Sequence, residues 1–314
     1  MAVRERLHRL ALSSATFATA RRVGTASRIL LLAGLVFVLL RLRTLWRDSH
    51  VALGHVGWPS LVAAVALAAA ATAASAFIWL AILRWLGATP RARWACIFLQ
   101  AQLGKYIPGG VWQYAGRTTL ARTHGVPLRA AALSLPAEFV GSSLVAALFS
   151  ILILGWWGTV AVSGALIAGQ LAFRSRSISG RLRTGQPARA ALRSLPLYVA
   201  GWTLTGTSFW LTARALVAAP VSDIPVYVGA FAAAWLVGVL AIFAPGGLGV
   251  REALLVALLR GRLGTADALV LATASRAVLT FVDAGMAGLG FLVLRRSADS
   301  RQFETALEPP ASSQ

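Results

Sequence analysis

Few side chains in this sequence can do chemistry, and they gather at two interruptions of an apolar chain. The first is LGKYIPGGVWQYAGR, residues 103–117, which sets Lys105, Tyr106, Trp112, Gln113 and Arg117 around Pro108, Gly109 and Gly110. Lys105 is the only lysine among 30 basic residues. The second is APGGLGVREALL, residues 244–255, which repeats the break as Pro245, Gly246 and Gly247. An apolar residue follows each break (Val111 or Leu248), and then a further glycine and an arginine: Gly116 and Arg117, Gly249 and Arg251. An ammonium and two guanidinium groups suit an anion, and arginine can hold a phosphate through two parallel bonds. A half-helix starting after each break would add free N–H groups and a positive dipole end. The plainer alternative is two loop turns whose basic residues only mark topology.

Ionisable residues also stand inside apolar runs. Glu138 lies in AALSLPAEFVGSSLVAALF, and Arg276 and Asp283 lie in ATASRAVLTFVDAGMAGLG. Such residues are rare in membrane helices and usually face the bundle interior. Arg276 and Asp283 are two helical turns apart and share a face. Arg276 is expected to pair with Glu138 or Glu252, leaving Asp283 near the interface. Glu252 adjoins Arg251, so those two do not bridge along a helix. These charges either balance a polar cavity or only fix packing; an ion pair lining a cavity would do both.

Other chemistries find little support. One cysteine, Cys96, leaves no internal disulfide and no cysteine-based metal site. His8, His50, His55 and His124 form no metal-binding pattern, and no cofactor is expected. No phosphate-binding loop of the GxxxxGK[ST] type occurs, so transport would be passive, ion-coupled or partner-driven. Net charge is +20, but the arginines lie between apolar runs, as topology signals do, and no nucleic-acid partner is expected.

The elements that must position these residues are membrane helices. The sequence is 58% hydrophobic, with a mean hydropathy of +0.72. A soluble domain is about 45–50% apolar, and a bilayer crossing takes ~20 apolar residues. The pattern predicts an all-α polytopic membrane protein with seven to eight crossings. Apolar helices are expected at 28–46, 60–83, 130–154, 156–173, 195–217, 225–244 and 266–294. Two interrupted, re-entrant segments, 94–125 and 245–262, form an internal pseudo-repeat. Freed backbone groups at membrane depth must be buried in protein or line a watery cavity. Trp46, Trp58, Trp94, Trp156, Trp157 and Trp202 sit near expected helix ends, as in an interfacial belt.

Residues 1–27 form a basic N-terminal segment, 28–296 the membrane domain, and 297–314 a polar, disordered tail. The loop 174–193 carries six arginines and no acid, which places it and the N-terminus on the cytoplasmic side. Arg295 and Arg296 place the tail there too, whereas seven full crossings would leave it outside. Either 245–262 crosses fully or one assignment fails. The expected location is a membrane, crossed several times, with the N-terminus on the cytoplasmic side.

With these residues in view, the chain resembles the lysylphosphatidylglycerol synthase transmembrane, or flippase-like, domain family. GKYIPGGVWQYAGR (104–117), Glu138, and PGGLGVRE (245–252) followed by the Arg276 helix carry the likeness, which covers roughly 28–296. Lysyl-transferring members have a large soluble synthase domain. About 18 residues follow the last expected helix here, so aminoacyl transfer is not expected. The resemblance implies motif roles for Lys105, Tyr106, Pro108, Gly109, Gly110, Gln113, Arg117, Glu138, Pro245, Gly246, Gly247, Gly249, Arg251 and Glu252.

The resulting expectation is a lipid translocator for an anionic phospholipid or a polyprenyl-phosphate-linked sugar. Lys105, Arg117 and Arg251 would hold phosphate, with Trp112 and Tyr114 beside the lipid or sugar. Glu138, Glu252, Arg276 and Asp283 would balance buried charge. Two other classes stay open: an accessory subunit of an envelope glycosyltransferase, and a lipid-modifying transferase using Glu138.

Overall fold

Long apolar helices dominate the computed structural model, which describes residues 56–107, 112–176, 185–241 and 247–307. These belong to one compact unit, His50–Gln314. Among the described residues there is no strand. The eight α-helices of the described residues are α1 (Trp58–Trp85), α2 (Ala95–Ala101), α3 (Trp112–Thr123), α4 (Leu128–Arg176), α5 (Gly185–Val217), α6 (Ile224–Leu240), α7 (Val250–Leu263) and α8 (Thr265–Leu307). Short 3-10 turns occupy Ala92–Trp94, Gln102–Tyr106 and Val221–Asp223.

Local chemistry explains the boundaries. Pro59 and Pro225 sit in the first turns of α1 and α6, where a missing N–H costs nothing. Gly264, at φ +79°, closes α7 with a left-handed turn that a side chain would disfavour. Gly155, at φ +65° and ψ −177°, interrupts α4 where the sequence separates 130–154 from 156–173.

Four helical stretches are long and apolar enough to cross a bilayer: Trp58–Trp85, Leu128–Gly155, Val221–Val239 and Thr265–Arg296. The protein is a membrane protein, and its described residues contain helices and no strand. Seven to eight crossings were expected, and four are found among the described residues. Segment 28–46 lies outside them, with the basic segment 1–27. Segments 156–173 and 195–217 are helical but do not join the four. In 195–217, Thr203, Thr205, Thr207, Ser208, Thr212 and Arg214 dilute the apolar run.

The arginine-rich loop is shorter than expected. Arg174 and Arg176 end α4, and α5 already runs from Gly185, so only 177–184 separate them, outside the described residues. The polar tail is also corrected in part. α8 continues to Leu307, because no glycine or proline interrupts it between Gly290 and Pro309. Residues 308–314 lie outside the described residues.

The helices pack through small residues, as bilayer-embedded helices must when apolar burial alone distinguishes nothing from lipid. α1 lies along α5, with Ala64, Ala68 and Ala71 buried and the Ser208 hydroxyl donating to the Ala64 carbonyl at 2.7 Å. α4 lies against α6 and α5; a Cβ on Gly229 would stand 3.1 Å from the Phe149 carbonyl oxygen. α8 completes the unit, packing on α1, α2 and α7.

Candidate functional site: a charge cluster on α8

Both interruptions deliver charged residues to α8. The 3-10 turn Gln102–Tyr106 ends the first half-segment and hands over to extended backbone at Ile107 (φ −85°, ψ 132°). Residues 108–111 lie outside the described residues, and α3 begins at Trp112. The turn crosses directly over the start of α3: a Cβ on Gly104 would stand 2.6 Å from the Gln113 Cα. Only glycine permits that approach. It holds the neighbouring Lys105 and Tyr106 toward α8.

There Asp283 receives both. Lys105 Nζ lies 2.6 Å from Asp283 Oδ2, and the Tyr106 hydroxyl donates to the same oxygen at 2.6 Å. Asp283 is 3% exposed. A carboxylate this deep is tolerable only because two donors satisfy it.

The second interruption arrives from the other side. α6 ends at Leu240, residues 242–246 lie outside the described residues, and the chain resumes at Gly247 with φ +70°. A Cβ on Gly247 would stand 3.0 Å from the Gly238 Cα and carbonyl oxygen, so the returning chain rests backbone to backbone on α6. Gly249, at φ +83°, starts α7, and its N–H donates to Glu252 Oε2 at 2.7 Å. The other Glu252 oxygen faces Arg276 Nη1 at 3.6 Å, so Arg276 pairs with Glu252 and not with Glu138. Arg251 lays its stem against Gly238 and its guanidinium 4.8 Å over the Phe231 ring.

Tyr106 ties the two halves together. Lys105 Nζ lies 5.5 Å and Arg276 Cζ 5.7 Å from its ring centroid, within cation–π range. Arg251 lies within electrostatic reach of the cations Lys105 and Arg276 and of Glu252, Tyr106 and Asp283. The cluster holds three cations, Lys105, Arg251 and Arg276, against two carboxylates, Glu252 and Asp283. Both carboxylates are bonded to cations of the protein. Arg251 makes no ion pair or hydrogen bond among the described residues.

Arg117 stands elsewhere. It is 2% exposed, bonded to Glu138, and its guanidinium lies 4.3 Å from the Phe98 ring centroid, with Trp79 and Tyr114 also near. The expectation that Arg117 joins Lys105 and Arg251 is corrected: its charge is spent on Glu138, and aromatic rings enclose it. The two matching arginines of the pseudo-repeat therefore occupy different surroundings. Trp112 is exposed, whereas Gln113 and Tyr114 are half-buried on α3. Pro108, Gly109, Gly110, Pro245 and Gly246 lie outside the described residues.

Sequence reasoning missed Phe231 and the Phe98–Trp79 wall. Phe231 sits in an apolar run, GAFAAAW, which carries no sign of a guanidinium above it. Among the described residues no group of His, Cys, Asp and Glu could hold a metal ion. Comparison with protein-family models, with curated proteins and with solved structures finds no match to this chain.

Proposed function

We propose that this membrane protein is a lipid translocator whose headgroup site is the cluster on α8. One observation carries the reading: two glycine-broken segments, far apart in sequence, bring Lys105 and Arg251 to one charge cluster, and Arg251 forms no ion pair among the described residues. Paired interruptions of this kind mark substrate sites in transporters built from repeats. A phosphate over Arg251 would complete the charge balance, with Lys105 and Arg276 beside it. The fuller architecture belongs to the same proposal: seven to eight crossings in a bacterial cytoplasmic membrane, with 94–125 and 245–262 re-entrant. The likeness to flippase-like domains points the same way, toward a phospholipid or a polyprenyl-phosphate-linked sugar.

Leaflet exchange in proteoliposomes tests this. Labelled phospholipid and labelled polyprenyl-phosphate sugar are reconstituted with wild type and with Arg251→Gln. Losing a charged hydrogen-bond partner costs about 1.5–3 kcal/mol, so exchange should fall about tenfold or more. Exchange that is absent in folded wild type, or unchanged in the variant, contradicts the proposal.

A further inference from the structure

We infer that one end of the helix bundle is a surface for anionic lipid: its arginines hold the phosphate headgroups of the cytoplasmic leaflet, as fixed neighbours and not as transported substrate. The inference stands apart from the headgroup site on α8 and does not need translocation.

Packing fixes which helix ends meet there. Leu83 near the end of α1, Ala121 near the end of α3 and Ala130 at the start of α4 share one buried cluster with Ala88 and Trp94, and Leu294 of α8 packs against it. The Trp94 indole donates to the His124 carbonyl at 3.2 Å, which brings the start of α2 to the end of α3. α5 starts at this end too, because it runs parallel to α4. A Cβ on Gly141 would stand 2.7 Å from Cε2 of Tyr198, and each of these residues lies thirteen positions into its helix. α1 begins at the opposite end, where the Gly57 N–H donates to the Ala215 carbonyl of α5 at 2.8 Å.

Charge divides the two ends. Arg84, Arg91 and Arg93 follow the apolar run of α1, and Arg122 and Arg129 flank the turn from α3 to α4. Arg189 and Arg193 lie in the first turns of α5, and Arg295 and Arg296 end the apolar part of α8. All but the half-buried Arg93 are exposed, and no Asp or Glu occurs in 84–95, 118–130 or 185–194. The rest of α8, 297–307, adds Asp299, Arg301 and Glu304, one net negative charge. The opposite end is nearly balanced: Arg214, Arg260 and Arg262 stand against Asp223 and Asp267, with Arg262 and Asp223 paired at 3.5 Å. Arginines gathered without an acid repel one another unless an outside anion lies among them. This surface caps bilayer-crossing helices, so the groups beside it are lipid headgroups. A guanidinium fits a phosphate through two parallel bonds, and its stem lies along the apolar layer below. The cytoplasmic side of a membrane protein carries the excess of basic residues, and the leaflet there is the anionic one.

Lipid retention and orientation test this separately. Purified protein in neutral detergent is mixed with equal phosphatidylglycerol and phosphatidylcholine, and bound lipids are counted by native mass spectrometry. Wild type should retain the anionic lipid preferentially, and salt should reduce the preference. The quadruple variant Arg84→Gln, Arg91→Gln, Arg129→Gln and Arg193→Gln should lose most of it, at about fivefold per arginine. Arg214→Gln with Arg260→Gln, at the opposite end, should keep it. Lys105 and Arg251 are unchanged in both variants, so a loss reports on this surface and not on the headgroup site. A preference that survives the quadruple variant, or falls equally in both variants, would overturn the proposal and leave these arginines to a protein partner or to water. For orientation, the exposed Ala92→Cys and Ser222→Cys are treated with a membrane-impermeant maleimide in intact bacterial cells; Cys96 is buried and stays silent. Ser222→Cys should label from outside, and Ala92→Cys only after permeabilisation. Labelling of Ala92→Cys in intact cells would overturn the cytoplasmic placement. The salt response of wild type and the labelling decide the matter if the quadruple variant does not fold.

Discussion

Glu138→Leu is expected to destabilise the protein by about 3–5 kcal/mol, the cost of removing one partner from a buried ion pair. Arg117 would keep its charge at 2% exposure, among Phe98, Trp79 and Tyr114, with its carboxylate gone. The aromatic faces offset part of that cost but cannot supply a counter-charge. Arg117→Met combined with Glu138→Leu should recover most of the loss, because a paired apolar replacement leaves nothing buried and unmatched. Thermal unfolding in detergent, read through the protein's 11 tryptophans, separates the two outcomes. A single variant as stable as wild type would show that the guanidinium has another way to be satisfied.

Asp283→Leu should have the second largest effect. One oxygen receives both Lys105 and Tyr106, so a single substitution strands two donors. Lys105 keeps 29% of its side chain exposed and can recover some solvation, which sets this loss below that of the buried arginine. About 2–3 kcal/mol is expected, in line with charged hydrogen bonds elsewhere. Asp283→Asn should fall between, since an amide oxygen still accepts from Tyr106 but no longer balances the ammonium. Lys105→Met with Asp283→Leu should cost less than the sum of the two single changes, as residues in contact do. Additive losses would mean that Lys105 and Asp283 do not act as a pair.

The sequence carried the membrane class, the helix-rich fold and most of the cluster. The reason is that proline, glycine and charge are conspicuous against an apolar background. A Pro-Gly-Gly run is a stronger break than the lone Pro136 and Pro196, which stay inside α4 and α5, so the start of α3, the end of α6 and the start of α7 follow closely from the two breaks. The partition of α4 at Gly155 was equally visible. Pairing was less legible. Arg276 could reach Glu138 or Glu252 on sequence alone, and helix packing decided for Glu252. Arg117 and Arg251 match in motif position, yet one forms an ion pair with Glu138 and the other lies over Phe231 without an ion pair among the described residues. That difference depends on which helix crosses behind each arginine, and spacing along one chain does not record it. Among the described residues four helical stretches are long and apolar enough to cross, and hydroxyls dilute the apolar run of α5. Those hydroxyls bond internal carbonyls, as Thr205 does to Gly201 and Thr212 to Ser208.

The central claim is that both interrupted segments hold one headgroup. It is tested most directly by a double-mutant cycle on leaflet exchange with Lys105→Met and Arg251→Gln. If Lys105 and Arg251 grip the same phosphate, either change alone should remove most of the exchange, and the double variant should lose little more. Independent, multiplying losses, or wild-type exchange in Arg251→Gln, would contradict a shared site.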